Sequence, residues 1–254
     1  MKISVVTITR NDGALLARTI RSIYAQKLPQ GVELEHIIVD GCSDTPQTEA
    51  ILAEAEARGS RVIRRKPRGC YNAINQGIEA CTGDVIGLLH GTDFYADDQA
   101  VADICAAFSD SNTGFIFADI IYASPESDIG RIHSTRRYSS EKFSTVSLRH
   151  GFAPPHPTLY VRADLMREIG PYREDYIISA DFEYFVRLFI RNPQPQWHRL
   201  DRVLVAMDNA GASASWKNRL TVNVPEKMKA LRTNGLRASW FNMLLRYYYH
   251  FSQK

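Results

Sequence analysis

Apolar runs alternate with helically spaced segments along the first half of the chain. The run KISVVTITR at residues 2–10 is continuous and β-branched, as expected of a parallel strand buried on both faces. Comparable runs occupy residues 32–40, 61–65 and 84–90. Segments with apolar residues at helical spacing lie between them, at residues 11–28, 45–59 and 71–81. This alternation predicts an α/β fold, a doubly wound and mostly parallel sheet with helices on both faces.

The pattern becomes less regular after residue 123. A polar, irregular segment and a proline-rich loop lead to a strand, a short helix and then a helix at residues 179–191 with an apolar face. The chain from Trp216 onward is basic, aromatic and predicted to be helical. We divide the chain at these changes into two halves of one domain, residues 1–123 and 124–215, followed by a helical C-terminal extension at residues 216–254.

Composition, net charge and cysteine spacing indicate which broad class of protein this is. The 254 residues are 44% hydrophobic and 23% charged, which is typical of a globular protein, and the net charge of +3 is too small to indicate a nucleic-acid partner. The four cysteines have no metal-binding spacing, so we expect reduced, buried thiols and a cytoplasmic protein. We expect neither a signal peptide nor a membrane span, since residues 1–9 begin a strand directly and no apolar run is long enough.

Polar side chains follow three of the predicted strands where each strand ends. They are Thr9 and Arg10, Asp40, and Thr92 with Asp93. Ligands of open α/β sheets bind in the crevice at the carboxyl ends of the strands, so we expect these residues to share one site. The sequence has no P-loop and no glycine-rich dinucleotide motif, so a ligand at this edge would not be held by a glycine-rich loop.

Four segments, in order, resemble the family 2 glycosyltransferases, which have a GT-A fold. They are ISVVTITRN, IIVDGCSD, RGCYNAINQGIEACTGDVIGLLHGTDFY and HPTLYVRADLMREIGPYREDYIISADFEYFVRL. The resemblance covers roughly residues 3–190. It implies an inverting enzyme that moves a sugar from a nucleoside-diphosphate-sugar to an acceptor hydroxyl, in bacterial surface-polysaccharide synthesis. Residues 1–123 would then bind the nucleotide-sugar and residues 124–215 the acceptor.

The resemblance implies roles for the polar residues of the first half. Asp40 matches the aspartate that holds the nucleotide base, and Thr9 and Arg10 lie where the family places its nucleotide. Asn72 replaces an aspartate of the family and can still donate to a base or ribose, while Arg68 can pair with a phosphate. A structural role remains open for four of them: a turn or helix cap for Asp40, Thr9 and Arg10, and a solvated charge for Arg68.

The tetrapeptide HGTD stands in place of the metal-binding "nsDD" of the family. Asp93 aligns with the acid expected to bind Mg²⁺ or Mn²⁺, ions that prefer oxygen ligands and can stabilise a leaving diphosphate. Thr92 replaces the other acid, which puts the metal affinity in doubt.

Asp181 matches the catalytic aspartate of the family, which takes the proton of the attacking hydroxyl. The alternative is a helix start, with Ser179 or Asp181 and Glu183 acting as caps. His156 is expected in the acceptor pocket, unless it is a structural histidine.

The C-terminal extension has two interpretations. Its basic residues and its cluster of Trp, Phe, Leu and Tyr are typical of a segment that lies on an anionic membrane, which would suit a lipid-linked saccharide acceptor. The same aromatics could instead pack on the catalytic domain or on a second subunit of a homo-oligomer.

Two other functions compete with the transferase. A nucleotidyltransferase could use a similar sheet, although it would need further acids for its metals. A catalytically silent nucleotide- or carbohydrate-binding module is suggested by Thr92 in place of an acid.

Overall fold

The structure is a computed structural model, and it describes residues 1–191, 196–208, 219–237 and 239–243. The strands are β1 (Lys2–Thr9), β2 (Glu33–Asp40), β3 (Arg61–Arg64), β4 (Val85–Leu88), β5 (Phe94–Tyr95), β6 (Phe115–Ala123), β7 (Ser134–Tyr138), β8 (Tyr160–Arg162) and β9 (Trp197–Asp208). The α-helices are α1 (Ala14–Tyr24), α2 (Pro46–Ala57), α3 (Cys70–Glu79), α4 (Ala100–Ala107), α5 (Ala163–Ile169), α6 (Ala180–Arg191) and α7 (Val224–Thr233).

One mixed sheet runs through the protein in the order β3-β2-β1-β4-β8-β6-β9-β5, with β7 paired to β6. The first four strands are parallel, whereas β8 is antiparallel to both β4 and β6. Beyond that junction β9 runs parallel to β6, and β5 and β7 run antiparallel to their partners. The predicted α/β class is confirmed, and the antiparallel strands are β5, β7 and β8.

Helices cover both faces of this sheet, as the alternation of the sequence predicts. Side chains of β1 alternate between the faces, with Ile3 and Val5 packing in one core and Val6 in the other. The Val6 core also contains residues of α3, α5, α6 and α7, and the Ile3 core contains residues of α4. The C-terminal extension therefore contributes to the core of the preceding α/β domain through α7.

Three local expectations are corrected by the structure. The sequence offers Asn11 or Asp12 as the N-cap of α1, but the N-cap is Gly13 at φ 50°, without a side-chain cap, because the carboxylate of Asp12 turns to Thr9 instead. The segment at residues 124–140, expected to be irregular, contains β7, whose polar residues form a strand paired antiparallel with the end of β6. All four cysteines are free as expected, but Cys42 and Cys70 are exposed rather than buried.

Glycines allow two close contacts that fix the sheet. At Gly87 of β4, a Cβ atom would lie 2.1 Å from Cε1 of Tyr160, whose ring crosses the junction between the parallel and antiparallel strands. The buried hydroxyl of Tyr160 also shares a hydrogen bond with that of Tyr95. At Gly77 of α3, a Cβ atom would lie 2.2 Å from Cγ1 of Val6, so α3 packs directly on β1.

We predict that Gly77→Ala destabilises the protein by about 1–3 kcal/mol, because the added methyl overpacks the contact between α3 and β1. In an ordinary helix, a change from glycine to alanine stabilises the protein by about 1 kcal/mol. A loss of stability in Gly77→Ala would therefore indicate the close contact with Val6. Urea denaturation measures it. The double variant Val6→Ala/Gly77→Ala should be less destabilised than the sum of the two single variants. A more stable Gly77→Ala protein would contradict the close packing.

Candidate active site

An open cavity of about 1070 Å³ lies at the carboxyl ends of the central strands. Its walls include eight of the nine predicted site residues, namely Thr9, Arg10, Arg68, Asn72, Thr92, Asp93, His156 and Asp181. The ninth, Asp40, lies beneath the wall between two lining residues, Val39 and Gly41. The fold therefore brings residues from both halves of the chain to one cleft.

The end of β1 is held by short polar contacts. The Thr9 hydroxyl donates to the Asp12 carboxylate at 2.7 Å, and the Arg10 backbone N–H donates to the same oxygen at 3.3 Å. Asn11, at φ 59°, exchanges hydrogen bonds with Asp44 of the loop after β2. Asp12 also lines the cavity, and the sequence pointed to it only as a helix cap. These contacts fix the rim on which Arg10 is exposed.

Asp40 stabilises the loop after β2. Its carboxylate is fully buried and accepts hydrogen bonds from the backbone N–H and the hydroxyl of Ser43. It is thus a turn carboxylate, although it does not cap α2, whose N-cap is Thr45. Contact with a nucleotide base stays a prediction for this residue.

Asn72 and Arg68 form the wall contributed by the start of α3. The Asn72 side-chain amide donates to the Glu174 carboxylate at 3.0 Å and accepts from Gln76 at 2.6 Å. Arg68 is exposed at the cavity edge beside Lys66. The two residues lie where the sequence predicts, and their contacts with a ligand stay predictions.

Asp93 is a buried carboxylate that faces the cavity wall. Its side chain is 3% exposed, and the backbone N–H of Asp208 donates to it. The pKa of the Asp93 carboxyl is raised to about 7, chiefly by burial and also by the nearby carboxylates of Asp208 and Asp12, whereas the N–H of Asp208 and the charge of Arg18 lower it. Three carboxylates therefore share this corner with one guanidinium.

That guanidinium belongs to Arg18, which is buried in α1. It donates to the carbonyl of Thr92 at 3.1 Å and to that of Ser127 at 3.1 Å, and lies 3.7 Å from the carboxylate of Asp208. Sequence reasoning missed both Arg18 and Asp208. The signal for Arg18 was a charged residue beside apolar helix positions, whereas Asp208 belongs to a strand that the pattern did not reveal.

Asp181 lies at the start of α6 and lines the opposite side of the cavity. Its carboxylate accepts from the backbone N–H of Phe182 at 2.7 Å. The expected capping by Ser179 and Glu183 does not form, because Glu183 pairs with Arg187 and the Ser179 hydroxyl has no partner. The side chain of Asp181 is thus directed to the cleft rather than used in a capping box.

Two neutral histidines lie beside Asp181. His156 shares a 2.9 Å hydrogen bond with the hydroxyl of Tyr172, and its ring centroid lies 5.9 Å from that of His90. Burial lowers the pKa of each imidazole to about 4. His156 therefore has the structural contact foreseen as its alternative and also lines the predicted pocket. His90 was missed, although it stands in the HGTD tetrapeptide already examined for its aspartate.

Comparison with known proteins identifies the family. Residues 4–168 match the model of "Glycosyl transferase family 2". An uncharacterised glycosyltransferase of Mycobacterium tuberculosis is 30% identical over 190 residues, which cover 73% of this chain and 68% of the relative. The chain belongs to glycosyl transferase family 2. A "PGL/p-HBAD biosynthesis glycosyltransferase" of Mycobacterium bovis is 24% identical over 189 residues, covering 73% of this chain and 69% of that protein.

Solved structures show the same fold. S. aureus TarS (residues 1–349) in complex with UDP-GlcNAc superposes with a TM-score of 0.70 at 16% identity, over 92% of this chain and 65% of that chain. A mannosyltransferase from Pyrobaculum calidifontis in complex with GDP-Man and Mn²⁺ superposes with a TM-score of 0.61 at 15% identity, over 89% of this chain and 64% of that one. This glycosyltransferase therefore spans less than two thirds of each solved chain.

Family 2 glycosyltransferases with a GT-A fold generally use a divalent metal ion, and the residues around Asp93 fit one. Hard cations prefer carboxylate oxygens, and Asp93, Asp12 and Asp208 carry more negative charge than Arg18 balances. In the described part of the chain no three acidic, His or Cys side chains converge into a complete metal cage. The site thus fits an ion that takes its remaining ligands from a bound diphosphate and water.

We predict that Asp93→Asn stabilises the metal-free enzyme by roughly 2–4 kcal/mol at pH 8 and much less at pH 4. The folded-state pKa of about 7 lies above the ordinary value of 3.8, so the folded protein binds the extra proton and loses stability as the pH rises between those values. Urea denaturation with a chelator, from pH 4 to pH 8, measures the difference. A difference that is independent of pH would contradict the buried carboxyl.

Proposed function

We propose that this enzyme transfers a sugar, with inversion, from a nucleoside-diphosphate-sugar to an acceptor hydroxyl in the synthesis of a cell-surface polysaccharide or glycolipid. The observation that carries the proposal is that Asp93 and Asp181 line one cavity from different halves of the chain. Support comes from the UDP-GlcNAc of the TarS complex, the GDP-Man of the mannosyltransferase and the glycolipid relative from Mycobacterium bovis.

The donor would bind along the ends of β1, β2 and β4. Thr9, Arg10 and Asn72 would contact the nucleotide. Asp40 would act on the base through the loop after β2, which its carboxylate stabilises. Arg68, at the exposed rim, would pair with a phosphate, because a guanidinium donates two parallel hydrogen bonds to phosphate oxygens. Thr92 would add a hydroxyl next to the diphosphate.

Mn²⁺ or Mg²⁺ would be held by Asp93 together with the donor diphosphate. When bound, such an ion neutralises the charge that develops on the departing nucleoside diphosphate. The desolvated carboxylate of Asp93 suits this role because it has few competing hydrogen-bond donors besides the N–H of Asp208. Replacement of the second acid by Thr92 leaves Asp93 as the principal protein ligand on the loop.

Asp181 would act as the general base. Its carboxylate would take the proton of the acceptor hydroxyl as the oxygen bonds to the anomeric carbon and the bond to the diphosphate breaks. Direct displacement of this kind inverts the anomeric configuration. His156 and His90, neutral at pH 7, would contact acceptor or sugar hydroxyls, since a neutral imidazole offers one donor and one acceptor.

The decisive experiment incubates the enzyme with UDP-, GDP- and dTDP-sugars and Mn²⁺ and identifies the nucleotide product. We expect the wild type to release a nucleoside diphosphate from one donor class. The variant Asp181→Asn should keep the donor affinity of the wild type but lower turnover by about 10²–10⁴-fold. Calorimetry of donor binding and product chromatography supply the two measurements. A nucleoside monophosphate product would instead favour a nucleotidyltransferase, and tight binding without turnover would favour a silent module.

We also propose that the acceptor is lipid-linked and that the enzyme works at the cytoplasmic face of an anionic membrane. Trp240 and Phe241 are 53% and 70% exposed, whereas Met243, two residues later, is buried against Gly151 at the cavity edge. Exposed aromatics next to the acceptor side suit a membrane interface. Among the described residues no helix is long and apolar enough to cross a bilayer. Other apolar and basic residues of the C-terminal extension lie outside the described part of the chain, namely Leu244, Leu245, Arg246 and the tyrosines at 247–249.

We predict that the double variant Trp240→Ser/Phe241→Ser keeps donor binding and folding but weakens binding to vesicles with anionic lipids. Vesicle sedimentation measures this, and added salt should also weaken binding of the wild type because it screens surface charge. These point variants change only the two exposed aromatics, whereas deletion of the C-terminal residues would also remove the buried Met243. Loss of a dimer, rather than of vesicle binding, would show that these aromatics contact a second subunit.

A further inference from the structure

Helix α7 makes an unusual contact with the loop that precedes Asp181. The Glu226 carboxylate accepts hydrogen bonds from three successive backbone N–H groups, those of Ile177 at 2.5 Å, Ile178 at 3.0 Å and Ser179 at 2.9 Å. Three consecutive N–H groups that point one way form a concave site for an anion. Here the anion is a side chain of the protein, so the conformation of residues 177–179 depends on Glu226.

Tyr71 is a second anchor of this loop. The hydroxyl of Tyr71 donates to the carbonyl of Ile178 at 2.5 Å, while the side chain of Ile177 is 73% exposed. Ile177, Ile178 and Asp181 all line the cavity, whereas Glu226 does not. The carboxylate of Glu226 therefore acts on the cavity through the backbone and does not touch a substrate itself.

The next residue of α7 fixes the facing loop. The ammonium of Lys227 donates to the carbonyl of Gly151 at 2.7 Å and lies 4.6 Å from the ring centroid of Phe182, the residue after Asp181. Two adjacent side chains of opposite charge thus tie both acceptor-side loops to one helix. Residues 226 and 227 lie outside the segment matched by the family model, which ends at residue 168.

We propose that Glu226 is a positioning residue for Asp181: by binding the N–H groups of residues 177–179 it sets the start of α6 and so aims the catalytic carboxylate at the acceptor hydroxyl. The proposal rests on the function proposed for Asp181. The isosteric amide of glutamine offers one acceptor oxygen and turns N–H donors toward at least one N–H group of the loop, so Glu226→Gln weakens the contact without changing side-chain volume.

The test compares Glu226→Gln with Glu168→Gln, a change of the same kind on the exposed face of α5. For Glu226→Gln we expect turnover to fall by about 10- to 100-fold, the range for a catalytic group displaced by about an ångström, with donor affinity unchanged. Amide hydrogen exchange at Ile178 and Ser179 should become faster in this variant. Glu168→Gln should match the wild type in both measurements.

A double-variant cycle separates positioning from general stability. If Glu226 acts through Asp181, Glu226→Gln should cost little further turnover in an Asp181→Asn background, because the group it aims is already lost. An equal further loss in that background, or wild-type turnover of Glu226→Gln beside an inactive Asp181→Asn, would overturn the proposal alone. Wild-type turnover of Asp181→Asn would overturn the assignment of the base, and this proposal with it.

Discussion

The buried guanidinium of Arg18 holds the active-site end of the sheet together. From α1 it reaches the loop after β4 through the carbonyl of Thr92, the loop after β6 through the carbonyl of Ser127, and the end of β9 through Asp208. A charge removed from water needs close partners, and loss of the cation would leave the neighbouring carboxylates buried without compensation. The relative positions of three strand ends therefore depend on one side chain.

Burial also determines the pKa values of titratable groups in the cleft. The carboxylates of Asp12, Asp93 and Asp208 lie in a low-dielectric corner with a single counter-charge, which is why the pKa of Asp93 rises to about 7. A divalent ion and a diphosphate would resolve this imbalance on binding. On the other side of the cavity, His90 and His156 are kept neutral by burial, so the cavity wall that includes Asp181 also carries uncharged hydrogen-bonding groups.

The side of the cavity that contains Asp181 depends on elements distant in sequence. The loops at residues 151–157 and 177–179 belong to the middle of the chain, yet α7 from the C-terminal extension fixes both through Lys227 and Glu226. The extension is thus part of the catalytic domain as far as Met243, while Trp240 and Phe241 remain exposed beside it. The sequence presented packing and surface contact as alternatives for this segment. In the structure Met243 packs in the core, whereas Trp240 and Phe241 are exposed.

The sequence by itself determined the parallel half of the sheet and the place of its site, because β-branched runs and helical periodicity are local patterns, and strand ends of such sheets converge on one edge. The strand ends indicated Thr9 and Asp93, whereas Asp181, at the start of a helix, was indicated by the resemblance to the family. Only the tertiary structure revealed Arg18, Asp208 and Glu226. Each acts through a contact with residues distant along the chain, and local periodicity carries no information about which distant backbone groups a buried charge will meet.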